Sequence, residues 1–110
     1  MIMIIYNVTA NIDESIHKEW LVWIKEHIPQ VLATGKFTAA KLTKVLIDEE
    51  KGGTTYSVQF IAKSRKHLDS YYKNDADRLR SKGLKIFADK MLTFRTELEI
   101  IDEYKVTFDK

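Results

Sequence analysis

Three observations predict an α+β fold with the element order βαββαβ. Four runs are rich in β-branched and aromatic residues, two longer stretches keep helical spacing, and one glycine pair sits midway along the chain. With a single hairpin at the centre, this order is the split-βαβ, ferredoxin-like arrangement. A four-stranded antiparallel sheet should then have the first and third strands at its middle.

Residues 2–10 form the first expected strand, where Ile2, Ile4, Ile5, Tyr6 and Val8 give it β character. Asp13 is a suitable N-cap, with Glu14 favourable in the first turn, and the first helix should run to about Ala33. Pro29 falls inside that pattern. It removes a backbone donor and disfavours helical angles at Ile28, so a kink or break is expected there. Gly35 should stop the helix.

The second strand is expected over residues 39–49, followed by a hairpin turn at Glu50, Lys51, Gly52 and Gly53. Residues 54–62 form the third strand and have the purest β composition in the chain. Ser64 should cap a second helical region reaching about Lys90, with Asn74-Asp75 and Gly83 as points of division. Residues 92–103 form the fourth strand, and the alternation from Tyr104 to Phe108 would let it extend.

With 110 residues, one domain spanning residues 1–110 is expected. A formal net charge of +2 gives no case for nucleic acid or an anionic membrane as partner. Arg65, Lys66, Arg78, Arg80 and Lys82 are interleaved with Asp69, Asp75 and Asp77, which reads as a solvated helix face. The absence of cysteine excludes disulfides, thiolate zinc sites and a thiol nucleophile. Residues 1–6 lack the basic region and apolar run of a signal peptide, and no apolar run reaches transmembrane length. The expectation is a cytoplasmic protein.

On a helical projection Ile16, Trp23, Ile24, His27 and Val31 fall within a narrow wedge around Trp20. A titratable ring thus lies among both tryptophans of the chain. His27 is the candidate catalytic residue, because imidazole titrates near neutral pH and is the commonest general base. Trp20, Trp23, Tyr6 and Tyr56 are candidate ligand-binding walls on the helix side of the sheet. The competing explanation is packing: the tryptophans fill the core, and His27 bonds a backbone carbonyl freed by Pro29. His17 and His67 are expected near helix starts and in solvent. His17 and His27 are about 15 Å apart along a helix, too far to share an ion. No metal site and no cofactor are expected.

By alternation, both faces of the sheet are partly apolar. Ile2, Ile4, Tyr6 and Val8 mark one face of the first strand, while Met3 and Ile5 mark the other. A second apolar face on a small domain calls for a cover, most simply the same face of a second copy. Asn7, Gln59, Arg95 and Glu97 are assigned to this second, barrel-side face as a polar cluster, with Arg95 and Glu97 placed to pair.

Several stretches together resemble one family: Tyr6-Asn7-Val8-Thr9, residues 17–23, His27-Ile28-Pro29, residues 34–37, Gly53-Thr54-Thr55-Tyr56 and Phe94-Arg95-Thr96. It is an uncharacterised bacterial family known only as a domain of unknown function, the 4286 family. The resemblance extends from Tyr6 to about Glu103. It implies membership of the dimeric α+β barrel superfamily, in which two ferredoxin-like sheets meet as a barrel with helices outside. It implies no particular chemistry.

Two functional readings follow. In the first, a homodimer binds a small planar or carbonyl-bearing molecule between the first helix and the sheet, with cofactor-free monooxygenase- or isomerase-like catalysis as an extension. In the second, the protein is a non-catalytic sensing or dimerisation module. Whether it is an enzyme is left open by the sequence.

Overall fold

The computed structural model describes residues 3–48 and 52–107. The strands are β1 (Met3–Ile12), β2 (Phe37–Lys44), β3 (Thr54–Ala62) and β4 (Met91–Ile100), and the helices are α1 (His17–Leu32), α2 (Arg65–Asn74) and α3 (Ala76–Phe87). All pairings are antiparallel and the strand order is β2-β3-β1-β4. The order of elements and the two central strands match the ferredoxin-like expectation.

Asp13 caps as expected, its carboxylate accepting from the backbone N–H of Ser15, but it caps a short 3-10 turn ahead of α1. The helix does not break at Pro29. Proline deletes one bond, to the carbonyl four residues back, and only the last turn follows it. That turn is held by buried Val31 and by the bond from Ala33 N–H to the Pro29 carbonyl at 2.9 Å. Beyond it Gly35 takes φ +80°, which ends the helix.

Other boundaries move for reasons of pairing. β2 ends at Lys44, short of the expected 49. Its partner β3 begins at Thr54, and only the bond from Val45 N–H to the Thr55 carbonyl continues the ladder. Part of the expected hairpin turn, residues 49–51, lies outside the described residues, as do Ile2 and Phe108. β4 ends at Ile100, opposite Met3, and residues 101–107 form no strand, so the expected extension of the tail is absent there. The second helical region divides at Asp75, as Asn74-Asp75 suggested, but runs straight through Gly83. Ser64 caps it, accepting from His67 N–H.

One sheet face carries Ile4, Tyr6, Ala10, Ile12, Tyr56, Val58, Phe60 and Ala62, all buried under the helices. Trp20, Ile24 and Val31 of α1, Leu68 and Tyr71 of α2, and Leu79 and Phe87 of α3 complete this core. The other face carries Met3, Ile5, Asn7 and Thr9 of β1, with Leu92, Phe94, Thr96 and Leu98 of β4. Leu92 and Phe94 on it are 57% and 70% exposed, so this second face is both apolar and open.

The register corrects one grouping. Val8 faces Arg95 and Tyr6 faces Glu97 across β1 and β4, and directly opposed residues point to the same side. Arg95 and Glu97 therefore belong to the helix side with Tyr6. Asn7 and Gln59, which face each other across β1 and β3, stay on the open face. Alternation within a strand groups its residues correctly, but the pairing register decides which face each group joins.

Candidate functional site

A cavity of about 60 Å³ lies between α1, α3 and the helix side of the sheet. α1 contributes Trp20, Trp23 and His27, the sheet contributes Tyr6 and Arg95, and α3 contributes Arg80. The structure thus gathers four of the five residues singled out as catalytic or wall positions. Tyr56 is the exception. It lies on the far side of Trp20, ring centroids 4.9 Å apart, and its hydroxyl meets His17 Nε2 at 2.6 Å. That bond also draws His17, expected in solvent, into a half-buried position.

Trp20 is 1% exposed, and its indole N–H donates to the Met91 sulfur at 3.2 Å. It forms the floor of the cavity. Trp23 forms a wall: the His27 ring stacks on it at 4.4 Å and 19°, and Phe87 meets it edge-on at 5.6 Å. His27 does not bond a carbonyl freed by Pro29. Its Nδ1 is buried with no hydrogen-bond partner among the described residues. Burial, assisted by the positive charge of Lys82, lowers its pKa to about 4. At neutral pH the ring is uncharged and weakly basic.

The polar end of the cavity is built around the Tyr6 hydroxyl. The ring is buried against Phe37, Phe60, Tyr71 and Tyr72, with centroids 5.7–6.1 Å away. Arg80 donates to its oxygen at 2.7 Å and Arg95 at 3.1 Å. Two accepted bonds fill the oxygen's lone pairs and leave the phenolic proton free to donate. Burial raises the pKa of neighbouring Tyr71 to about 12.

Glu97 does not pair with Arg95. Both its oxygens are taken by Arg65, at 2.6 and 3.0 Å, and one also accepts from the Tyr72 hydroxyl at 2.6 Å. These bonds, Arg65 first, hold its pKa down at about 2. On the open face Asn7 donates to Thr9 and Thr96 and accepts from Ser57, while Gln59 stands beside it. The anticipated barrel-side cluster is therefore two separate groups.

Sequence reasoning missed Arg80 and Gly83. The alternation of charges groups Arg80 with a solvated basic face, yet it is half-buried and its Nε has no partner among the described residues. The signal was present: Arg80 lies four residues after buried Ala76 and three before buried Gly83, on one helical stripe. Among the described residues, no group of three His, Asp or Glu side chains is placed to hold a metal ion. None of the helices described is long and apolar enough to cross a membrane.

The family model described as Domain of unknown function (DUF4286) matches residues 3–101. No curated protein matches the chain. Several solved structures share its fold. A protein of unknown function from Nitrosomonas europaea superposes with a TM-score of 0.68 at 13% identity, covering 98% of each chain. A provisionally named antibiotic biosynthesis monooxygenase from the same organism gives 0.61 at 12% identity, over 88% of this chain and 86% of the other. A dimeric ferredoxin-like protein from an uncultured marine organism gives 0.57 at 14% identity, over 94% and 100%. At such identities the likeness concerns the fold alone.

Proposed function

We propose, for a chain that belongs to the DUF4286 family, that the cavity between α1 and the sheet binds a small planar or carbonyl-bearing molecule. The observation that carries this reading is the pairing of an apolar, aromatic wall with polar atoms that have no partner among the described residues. Trp23 and Trp20 offer flat surface, and His27 Nδ1 is buried without a bond. A buried polar atom left unpaired costs about 1–3 kcal/mol, which a ligand can recover by bonding it. With its pKa lowered to about 4, His27 serves as a neutral hydrogen-bonding group in preference to a base at pH 7. The reading is accordingly one of binding.

Two copies of the chain pair through the open sheet face, on the side of the sheet away from the cavity. Met3, Leu92, Phe94 and Leu98 expose apolar surface there. The polar members Asn7, Thr9, Ser57 and Thr96 bond among themselves, which lowers the cost of covering them. A protein of the same fold is described as a dimeric ferredoxin-like protein, which supports pairing of two copies.

Titration with benzamide, benzoate and acetophenone tests the binding reading, followed by tryptophan fluorescence and by melting temperature. Saturable quenching and a raised Tm are expected for at least one of them. His27→Gln should weaken that binding about tenfold, consistent with loss of one good hydrogen bond, and leave the Tm of the free protein within a few degrees. No saturable response to any probe, or equal binding by His27→Gln, would overturn it.

A further inference from the structure

We propose that the molecule taken by this cavity is a planar carboxylate anion, its charge held by Arg80 and Arg95 and its flat body directed toward Trp23. The proposal rests on the reading that the cavity binds a small molecule, and it names the class. Two guanidinium groups reach the same Tyr6 oxygen, at 2.7 and 3.1 Å. Neither forms an ion pair among the described residues, where the paired arginines are Arg65 and Arg78. Among the described residues, no aspartate or glutamate lines the cavity. The carboxylate nearest in sequence to Arg95 on its own face, Glu97, is fully engaged by Arg65 and Tyr72.

Two like charges converging on a neutral phenol repel each other, and partial burial strengthens that repulsion. An anion placed between them would turn repulsion into charge-assisted bonding. The planar fork of guanidinium matches a carboxylate best, since both can form two parallel N–H···O bonds. The Tyr6 phenolic proton supplies a further donor. Arg80 Nε is buried and unpartnered, so a donor is already desolvated at this end.

The apolar end sets the rest of the ligand. Trp20, Ile24, Val31 and Val58 are buried lining groups, whereas Arg95 is exposed and marks the rim. The ligand would therefore lie with its carboxylate outward and its body inward. A cavity of about 60 Å³ is smaller than the roughly 150 Å³ that encloses a benzene ring. A flat acid of one ring or less, only partly enclosed, fits; a bulky or branched one does not.

The test compares benzoate with benzamide, which differ in charge and little in shape, by calorimetric titration of the full chain. Benzoate should bind at least about tenfold more tightly, as charged hydrogen bonds exceed neutral ones. Arg95→Met, at an exposed position and keeping the aliphatic stem, should abolish that preference, bringing the ratio of benzoate to benzamide affinity to about one. Arg80→Met should do the same. Arg95→Met alone decides the question if the Arg80 variant unfolds. Benzamide binding as tightly as benzoate, or a benzoate preference that survives Arg95→Met, would overturn the anion proposal while leaving the binding reading in place. Inorganic phosphate displacing benzoate at equal concentration would overturn the planar carboxylate in favour of general anion capture. Binding of neither benzoate nor benzamide would overturn the anion proposal, and failure of acetophenone as well would overturn the binding reading with it.

Discussion

The indole of Trp23 lies directly over Gly83: a Cβ on Gly83 would stand 2.8 Å from Cη2 and 3.0 Å from Cζ2. The glycine lets α3 approach α1 closely enough to close one side of the cavity. Trp23 cannot easily retreat, because His27 stacks on it and Phe87 abuts it. At an ordinary helix-interior position, Gly→Ala stabilises by about 1 kcal/mol. Here Gly83→Ala should lose that gain to overpacking of about 1–3 kcal/mol and lower the Tm. Displaced Trp23 should also shift the tryptophan emission. A raised Tm with unchanged emission would show that the contact is slack.

Protonation of His27 should weaken the fold in mildly acidic solution. Its folded pKa is lowered from 6.5 to about 4, chiefly by burial. Between those values the unfolded chain binds the proton and the folded chain does not, so stability falls as pH falls through that window. Above pH 6.5 the group is neutral in both states and the contribution is flat. In His27→Gln, Tm should vary less between pH 6.5 and 4 than in the parent. Identical profiles would mean that the imidazole titrates normally in the folded protein.

Ala88 closes α3 with φ +48° and ψ −130°, a conformation that L side chains rarely adopt. The bond from its N–H to the Leu84 carbonyl and the turn into β4 hold it there. Relief of strain outweighs the added entropy of an unfolded glycine when the residue is forced to positive φ. Ala88→Gly should therefore stabilise by about 1 kcal/mol and raise the Tm by several degrees. A lowered Tm on thermal denaturation would contradict the strained conformation.

Phe94 is 70% exposed on the open sheet face, on edge strand β4 opposite Thr9. Pairing of two copies through this face predicts a mass near twice 12.9 kDa in light scattering at micromolar concentration. Phe94→Lys should bring the mass down to that of one chain, since pairing would then bury an unpaired lysine from each copy. A single-chain mass for the parent protein would remove the dimer altogether.

Within the candidate site, local pattern and long-range pairing had unequal reach. The wedge of Trp20, Trp23 and His27 on α1 follows from helical periodicity, and Tyr6 from its parity with Ile4 and Val8; all four line the cavity. Tyr56 shares the buried face but sits one neighbour away, behind Trp20, a distinction periodicity does not draw. Arg95 and Glu97 were assigned to the wrong face because the register of β4 against β1 is a long-range property. Arg80 was masked by its charged neighbours, although its spacing from Ala76 and Gly83 placed it on the buried stripe.

By itself the sequence determined the element order, the central position of β1 and β3, the apolar stripe of α1 and the second apolar face of the sheet. These depend on period-2 and period-3.6 patterns and on turn residues, which act over a few positions. Tertiary structure alone decided that α1 continues past Pro29, because packing of Val31 outweighs one lost backbone bond. It also decided that β2 ends at Lys44 and β4 at Ile100, and that two arginines from α3 and β4 meet at one phenol of β1. Such convergence depends on strand register and helix approach, the latter set by Gly83 against Trp23, and neither is written in any local run of residues.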